Sequence, residues 1–184
     1  MIALKLMIAS DIHGAAACCQ RLMEAFEREE PEKLLLLGDL LYHGPRNDLP
    51  QDYDPRQTAA MLNEKKEHLL CVRGNCDSEV DQMMLDFPIM ADYCLLFWQG
   101  KTILATHGHR FNDRHLPPLQ AGGMLLCGHT HVPACRESDG ILYLNPGSVS
   151  IPKEDSCRGY MLLCDAAAEW RDLDGALIRT AQIF

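Results

Sequence analysis

Five short apolar runs in this chain each stop at a residue of metal-ligand type. LMIAS runs into Asp11 and, two residues on, His13. LLLLG runs into Asp39, LCVRG into Asn75, ILAT into His107, and MLLCG into His129 and His131. Short apolar runs bounded by Gly or polar residues read as buried strands. In sheets built from such strands, sites form where loops leave the carboxyl ends. Five strand ends thus deliver seven oxygen and nitrogen donors to what can be one crevice, the inventory of a two-metal hydrolytic site.

The runs alternate with helical patterns in the first half. Residues 2–9, 33–37 and 69–73 read as strands. Residues 15–28 place Leu22, Met23 and Phe26 at helical spacing, and Pro55 suits the start of a helix over 56–66. The stretch 43–55, rich in Pro and Asp, reads as a loop. Strand–helix–strand repetition means parallel strands joined by right-handed crossovers. The second half is β-rich. Strands over 93–98 and 101–106 flank Gln99-Gly100, and strands near 132–136 and 141–145 flank Ser138-Asp139-Gly140. A strand over 124–127 and final strands over 158–164 and 176–183 complete the pattern. At 184 residues the chain suits a single domain over 1–184. The expected fold is α/β: a sandwich of two mixed sheets with helices outside.

Charge and cysteine usage narrow the partners. The net charge of −9 argues against nucleic acid and anionic membrane, because phosphate affinity needs Lys and Arg. It leaves an anionic substrate open, since bound cations can invert a local field. No two of the nine cysteines have CxxC spacing, and the count is odd. Neither a disulfide framework nor a cysteine zinc site follows. Most lie in apolar runs, which reads as buried, reduced thiols in a cytoplasmic protein. No run approaches the roughly 18 residues of a membrane span.

Each ligand motif has a bland reading beside the functional one. Asp11 can cap a following helix, Asp39 can sit in an ordinary turn, and Asn75 can close an Asx turn. The spacing of Asp11-Ile-His13, His107-Gly-His109 and His129-Thr-His131 places side chains in a shared direction on an extended segment. Asp39, with two carboxylate oxygens, can bridge two cations. The order of the pieces decides between the readings. DIHG at 11–14, GD at 38–39, GNCD at 74–77, HGH at 107–109 and GHTH at 128–131 resemble the calcineurin-like metallophosphoesterase superfamily, over about residues 8–152. GNCD in place of GNHD or GNHE, the small size and NPGS at 145–148 resemble its small bacterial phosphodiesterases.

That resemblance implies a four-layer αββα sandwich holding two divalent metals. Asp11, His13 and His131 would bind one, Asn75, His107 and His129 the other, and Asp39 both. A hydroxide bridging the metals would attack a small phosphodiester. The mixed N/O set suits Mn²⁺, Fe²⁺, Co²⁺ or Zn²⁺, with the relatives leaning to Mn²⁺. Asp39, Asn75, Cys76 and His109 are the candidate catalytic residues. Cys76 stands where many superfamily members carry a His that assists the leaving group, and packing is its equally weighted role. His109 is the candidate for a substrate-facing residue, Asp77 for orienting a ligand, and Asn145 and Ser148 for supporting the site. Alternatives are a phosphomonoesterase or nucleotide phosphatase of the same superfamily, and a protein-binding scaffold. The missing Arg of GDxxDRG counts against the former and the complete ligand set against the latter. No basic pocket stands out beyond the metals, and the exposed loops leave room for self-association as a homo-oligomer.

Overall fold

The structure is a computed structural model that describes residues 5–183. Strands β1 (Lys5–Ala9), β2 (Lys33–Leu36) and β3 (Leu69–Cys71) pair in parallel. Strands β9 (Gly159–Cys164), β10 (Ala167–Asp172) and β11 (Leu177–Gln182) extend that sheet antiparallel on the far side of β1, in the order β11-β10-β9-β1-β2-β3. The second sheet runs β4-β5-β6-β8-β7. Its members are β4 (Cys94–Trp98), β5 (Lys101–Ala105), β6 (Met124–Leu126), β7 (Ala134–Ser138) and β8 (Ile141–Asn145). Here β5, β6 and β8 are parallel and the two edges antiparallel.

Alternation along the central strands builds the core. Met7, Ala9, Leu34 and Leu36 face one side, where they meet Leu22 and Phe26 of α1 (Ala16–Glu29) and Leu62 of α2 (Pro55–Glu64). Ile8, Leu35 and Leu37 face the other, against Ile103, Met124, Leu126 and Leu144 of the second sheet. Strands covered on both faces carry near-continuous apolar runs, which is why the sequence signal is so plain there. The outer face of the second sheet carries Leu104, Leu125 and Tyr143, covered by Leu116 and Leu119 of the β5–β6 connection. That connection holds Pro117, Pro118, Gly122 and Gly123, so it crosses the sheet as loop rather than helix.

The two-sheet sandwich with flanking helices is the expected one, and the differences are local. Residues 2–4 of the first expected strand lie outside the described residues. β10 is an unforeseen strand whose Trp170 is buried between the sheets. The one-turn helix α3 (Glu79–Gln82) was also missed, although Ser78 and Asp81 form a capping box that its sequence spells out. The cysteines are less buried than their apolar surroundings suggest. Only Cys18, Cys19 and Cys127 are fully covered, Cys157 is exposed, and all nine are free thiols.

Register places the site. Ala9 pairs with Leu36 and Leu36 with Cys71, so β1, β2 and β3 end level. Ala105 pairs with Leu126 and Leu126 with Leu144, which levels β5, β6 and β8. Every functional loop leaves one of these six ends. The 43–55 loop is anchored by Asp52, whose carboxylate accepts the Ala17 and Cys18 amides at the start of α1. It is closed by Asp54, which caps α2 ahead of Pro55. Leu35→Ala, at the fully buried midplane, should lower unfolding free energy by about 2–5 kcal/mol in urea melts. A change below about 1 kcal/mol would mean that the space between the sheets is not close-packed.

Candidate metal centre

The seven residues converge in two clusters. In the first, His13 Nε2 lies 3.3 Å from His131 Nε2 and 3.6 Å from Asp11 Oδ1, and His131 Nε2 lies 3.3 Å from the same oxygen. In the second, His107 Nε2 lies 3.0 Å from Asn75 Oδ1 and 3.2 Å from His129 Nδ1. Asp39 Oδ2 stands between them, 3.8 Å from His13 Nε2 and 3.4 Å from His107 Nε2. Asp39 reaches both clusters with this one oxygen. Its other oxygen accepts the Cys76 amide at 2.8 Å.

Tautomers make this arrangement electron-rich. Nδ1 of His13, His107 and His131 lies 2.8, 2.7 and 2.6 Å from the carbonyls of Tyr42, Leu37 and Ile151. A carbonyl only accepts, so each Nδ1 carries the hydrogen and each neutral Nε2 is a lone pair pointing inward. His13 and His131 then oppose lone pair to lone pair. Asp11 Oδ1 is buried with no hydrogen-bond partner. Such a set needs protons or metal cations at its centre. Two donors bound about 2.0–2.2 Å from one cation lie roughly 3–3.6 Å from each other, close to the spacings found. The residues present therefore fit a pair of divalent cations. Cys76 Sγ also lies within 4.8 Å of donor atoms of His13 and Asp39.

The same field shifts the titrations. Burial disfavours the Asp11 carboxylate, but His13 and His131 outweigh it and hold the group well below the usual range. Burial also disfavours protonated His107, yet the neighbouring Asp39 and Asp11 lift it to about 9. His129 is pushed down to about 4 by burial and by His107. Burial, then the Asp39 charge, pushes the Cys76 thiol up to about 12.

The backbone is unusual at the ligands. Asp11, His13, Asp39, His129 and His131 all have positive φ, from 51° to 67°. That region is sparsely populated by non-glycine residues and marks strain at functional sites. The expected extended geometry for Asp11-Ile-His13 and His129-Thr-His131 is thereby replaced. His129 and His131 enter different clusters, one through Nδ1 and the other through Nε2. Gly74 lets two loops meet, since a Cβ there would overlap Asp39 Oδ1.

Supporting residues hold these shapes. Asp77 is buried and accepts the amides of Asp39, Leu40 and Gly74 at 2.9, 2.9 and 2.7 Å, locking the GD turn onto the GN turn. Ser148 and Ser150 both donate to the Asp11 carbonyl, at 2.9 and 3.0 Å. Asn145 donates to the Gly128 carbonyl and Thr130 Oγ1. Arg73 donates to the Asp77 carbonyl, a structural use. His109 packs near the rings of His107 and His129, 5.5 and 6.2 Å between centroids. It is not among the residues lining the cleft over the centre, a cavity of about 400 Å³. Cys76 does line it. So do Arg46 and Lys153, two cations the sequence reading overlooked when it found no basic pocket.

Comparison with known proteins follows the same lines. Residues 4–167 match the calcineurin-like phosphoesterase superfamily domain. The chain is 46% identical over 160 residues to phosphodiesterase YfcE of Escherichia coli K12, covering 87% of each. The solved structure of that E. coli phosphoesterase superposes with a TM-score of 0.94 at 42% identity, covering 98% of this chain and all of the other. Vacuolar protein sorting 29 from Cryptosporidium parvum shares the fold, with a TM-score of 0.62 at 18% identity and 98% of each chain covered.

Two outcomes follow from this geometry. Asp77→Asn places amide hydrogens against backbone amides and should weaken divalent-metal affinity about 10–100-fold in calorimetric titration, as loss of an orienting partner does. Unchanged affinity would make Asp77 irrelevant to the centre. In metal-free protein, the raised His107 value means that its protonation stabilises the fold fully below the ordinary 6.5. That contribution is lost as pH rises through about 9. The urea midpoint of chelator-treated protein should therefore fall over this window. Saturating metal, taking the proton's place, should remove the fall.

Proposed function

The chain belongs to the calcineurin-like phosphoesterase superfamily, and we propose that it is a metal-dependent phosphodiesterase acting on a small substrate. The observation that carries this reading is the convergence of inward-facing lone pairs and carboxylates into two clusters joined by Asp39 Oδ2. The 46% identity to a phosphodiesterase supports it. Asp11, His13 and His131 are assigned to one metal, Asn75, His107 and His129 to the other, and Asp39 to both. When bound, the two cations supply a water of lowered pKa as nucleophile and neutralise charge growing on the phosphoryl oxygens.

The chain's own residues do the rest. The Tyr42, Leu37 and Ile151 carbonyls fix the imidazole tautomers, so no reorganisation is needed when metal arrives. Asn75 offers a neutral oxygen and limits the charge of the ligand set. Cys76 lines the cleft as a neutral thiol, which gives little help to a basic leaving group. Diesters with good leaving groups, such as aryl esters, are the favoured class. His109 is assigned a role through His107 and His129 rather than by contact with substrate. Manganese is the proposed metal, on the resemblance to relatives that lean to it, since the N/O donor set suits Fe²⁺, Co²⁺ and Zn²⁺ as well. The free thiols support a reducing, cytoplasmic setting, and 1–184 is taken as one domain. No helix among the described residues is long and apolar enough to cross a membrane.

A bis-aryl phosphodiester should be hydrolysed with Mn²⁺ and not with chelator. Asp39→Asn should reduce the rate by more than the 10–100-fold typical of an outer-shell loss, because it weakens both metal positions. A near-normal rate in that variant would sink the bridging assignment. Cys76→His should raise hydrolysis of alkyl relative to aryl esters. If both respond alike, Cys76 does not serve the leaving oxygen.

A further inference from the structure

Two cations line the cleft over the metal centre: Arg46, on the turn that follows Gly44 and Pro45, and Lys153. Both turns are closed by hydrogen bonds, and that of Lys153 is fastened to a candidate ligand. The Asn47 side chain donates to the His43 carbonyl at 2.9 Å, closing the turn that presents Arg46. The Lys153 amide donates to the carbonyl of His131 at 3.2 Å, and Ser156 closes the turn on the Lys153 carbonyl at 2.6 Å. The backbone of Lys153 is therefore coupled to the centre, and that of Arg46 is held in a closed turn.

Position, rather than lack of partners alone, sets these two cations apart in a chain of net charge −9, since Lys33, Arg56, Arg73, Arg114, Arg158 and Arg179 also make no carboxylate pair among the described residues but do not line the cleft. Arg21, Lys65, Lys66, Arg110, Arg136 and Arg171 each pair with a carboxylate. Arg46 and Lys153 have no such partner among the described residues. Within the centre, Asp11 and Asp39 are the only carboxylates of the seven donors. Two divalent cations there already carry positive charge in excess, enough for the single charge of a diester. Two more cations facing the same cleft exceed what a simple diester requires. Neighbouring residues of the same two loops, Asp48–Asp52 and Ser150–Pro152, with Arg21 and Arg158, wall a second hollow of about 620 Å³.

We propose that Arg46 and Lys153 form an anion subsite beside the metals, selecting diesters that carry a second negative group, a carboxylate or phosphate, on the arm that is retained. This rests on the diesterase reading. It adds a substrate class that the metal ligands do not specify. Arginine would hold such a group through its planar fork and lysine as a point charge.

The test uses binding as well as turnover. Calorimetry on the Mn²⁺-loaded full chain compares benzyl(methyl)phosphinate with (4-carboxybenzyl)(methyl)phosphinate, a pair that differs by one carboxylate and whose P–C bonds the reaction cannot cleave. The carboxylated compound should bind about tenfold tighter, equivalent to ~1.4 kcal/mol. Arg46→Ala and Lys153→Ala should each reduce that preference several-fold, the double variant should abolish it, and Arg46→Lys should restore part. In parallel, p-nitrophenyl phenyl phosphate and its 4-carboxyphenyl counterpart, which release the same p-nitrophenolate, should differ in KM with little change in kcat. The proposal is overturned if neither analogue binds, if the two bind alike, or if the preference survives in the double variant. Equal weakening of both analogues also overturns it, because it would mean general electrostatic attraction. If the binding preference holds but neither ester is hydrolysed with any divalent cation, the subsite stands and the diesterase reading fails.

Discussion

Mutual repulsion of buried lone pairs is the constraint on which the rest of the structure depends. Three imidazoles are pinned by backbone carbonyls so that their Nε2 atoms face inward, toward Asp11, Asp39 and Asn75. Without cations the fold must place protons there, and the raised His107 and depressed His129 values are the two sides of that shortage. The sandwich bears this cost because the clusters sit at the rim of its close-packed core. Six parallel strands end level at that rim, and their apolar residues hold the loops in place from below.

Strain is the second element of the design. Five of the seven candidate ligands have left-handed backbone, at a cost of order 1–3 kcal/mol each. The network around them over-determines these shapes. Asp77 gathers three amides, Ser148 and Ser150 share the Asp11 carbonyl, and Asn145 ties the GHTH turn to the end of β8. Trp170, from a strand in the other sheet, donates to the Asn145 carbonyl at 2.7 Å and links this support to the core. Catalytic geometry, backbone strain and core packing are therefore one connected problem.

Most of the central strands were legible because burial on both faces writes continuous apolar runs such as LLLL at 34–37. β10 was hidden in AAAEWRD, a stretch with little β-branched character, where one buried tryptophan carries the strand. The ligands were legible for a different reason. Each is a polar residue placed directly after an apolar run, and their order matches the family. His109 was legible as a residue but not in its placement. An HGH spacing does not say that the second imidazole packs beside the rings of both His107 and His129.

The sequence by itself determined the donor inventory, the two-sheet sandwich and the family, because these follow from side-chain chemistry and from the periodicity of burial. Only the tertiary structure decided that one oxygen of Asp39 stands between the two clusters, and that His129 and His131 reach theirs through different ring nitrogens. It likewise brought Arg46 and Lys153 into the lining of one cleft. Residues 107 positions apart in the chain, on loops that leave β2 of one sheet and β8 of the other, come to line one cleft, and no local pattern records such a convergence.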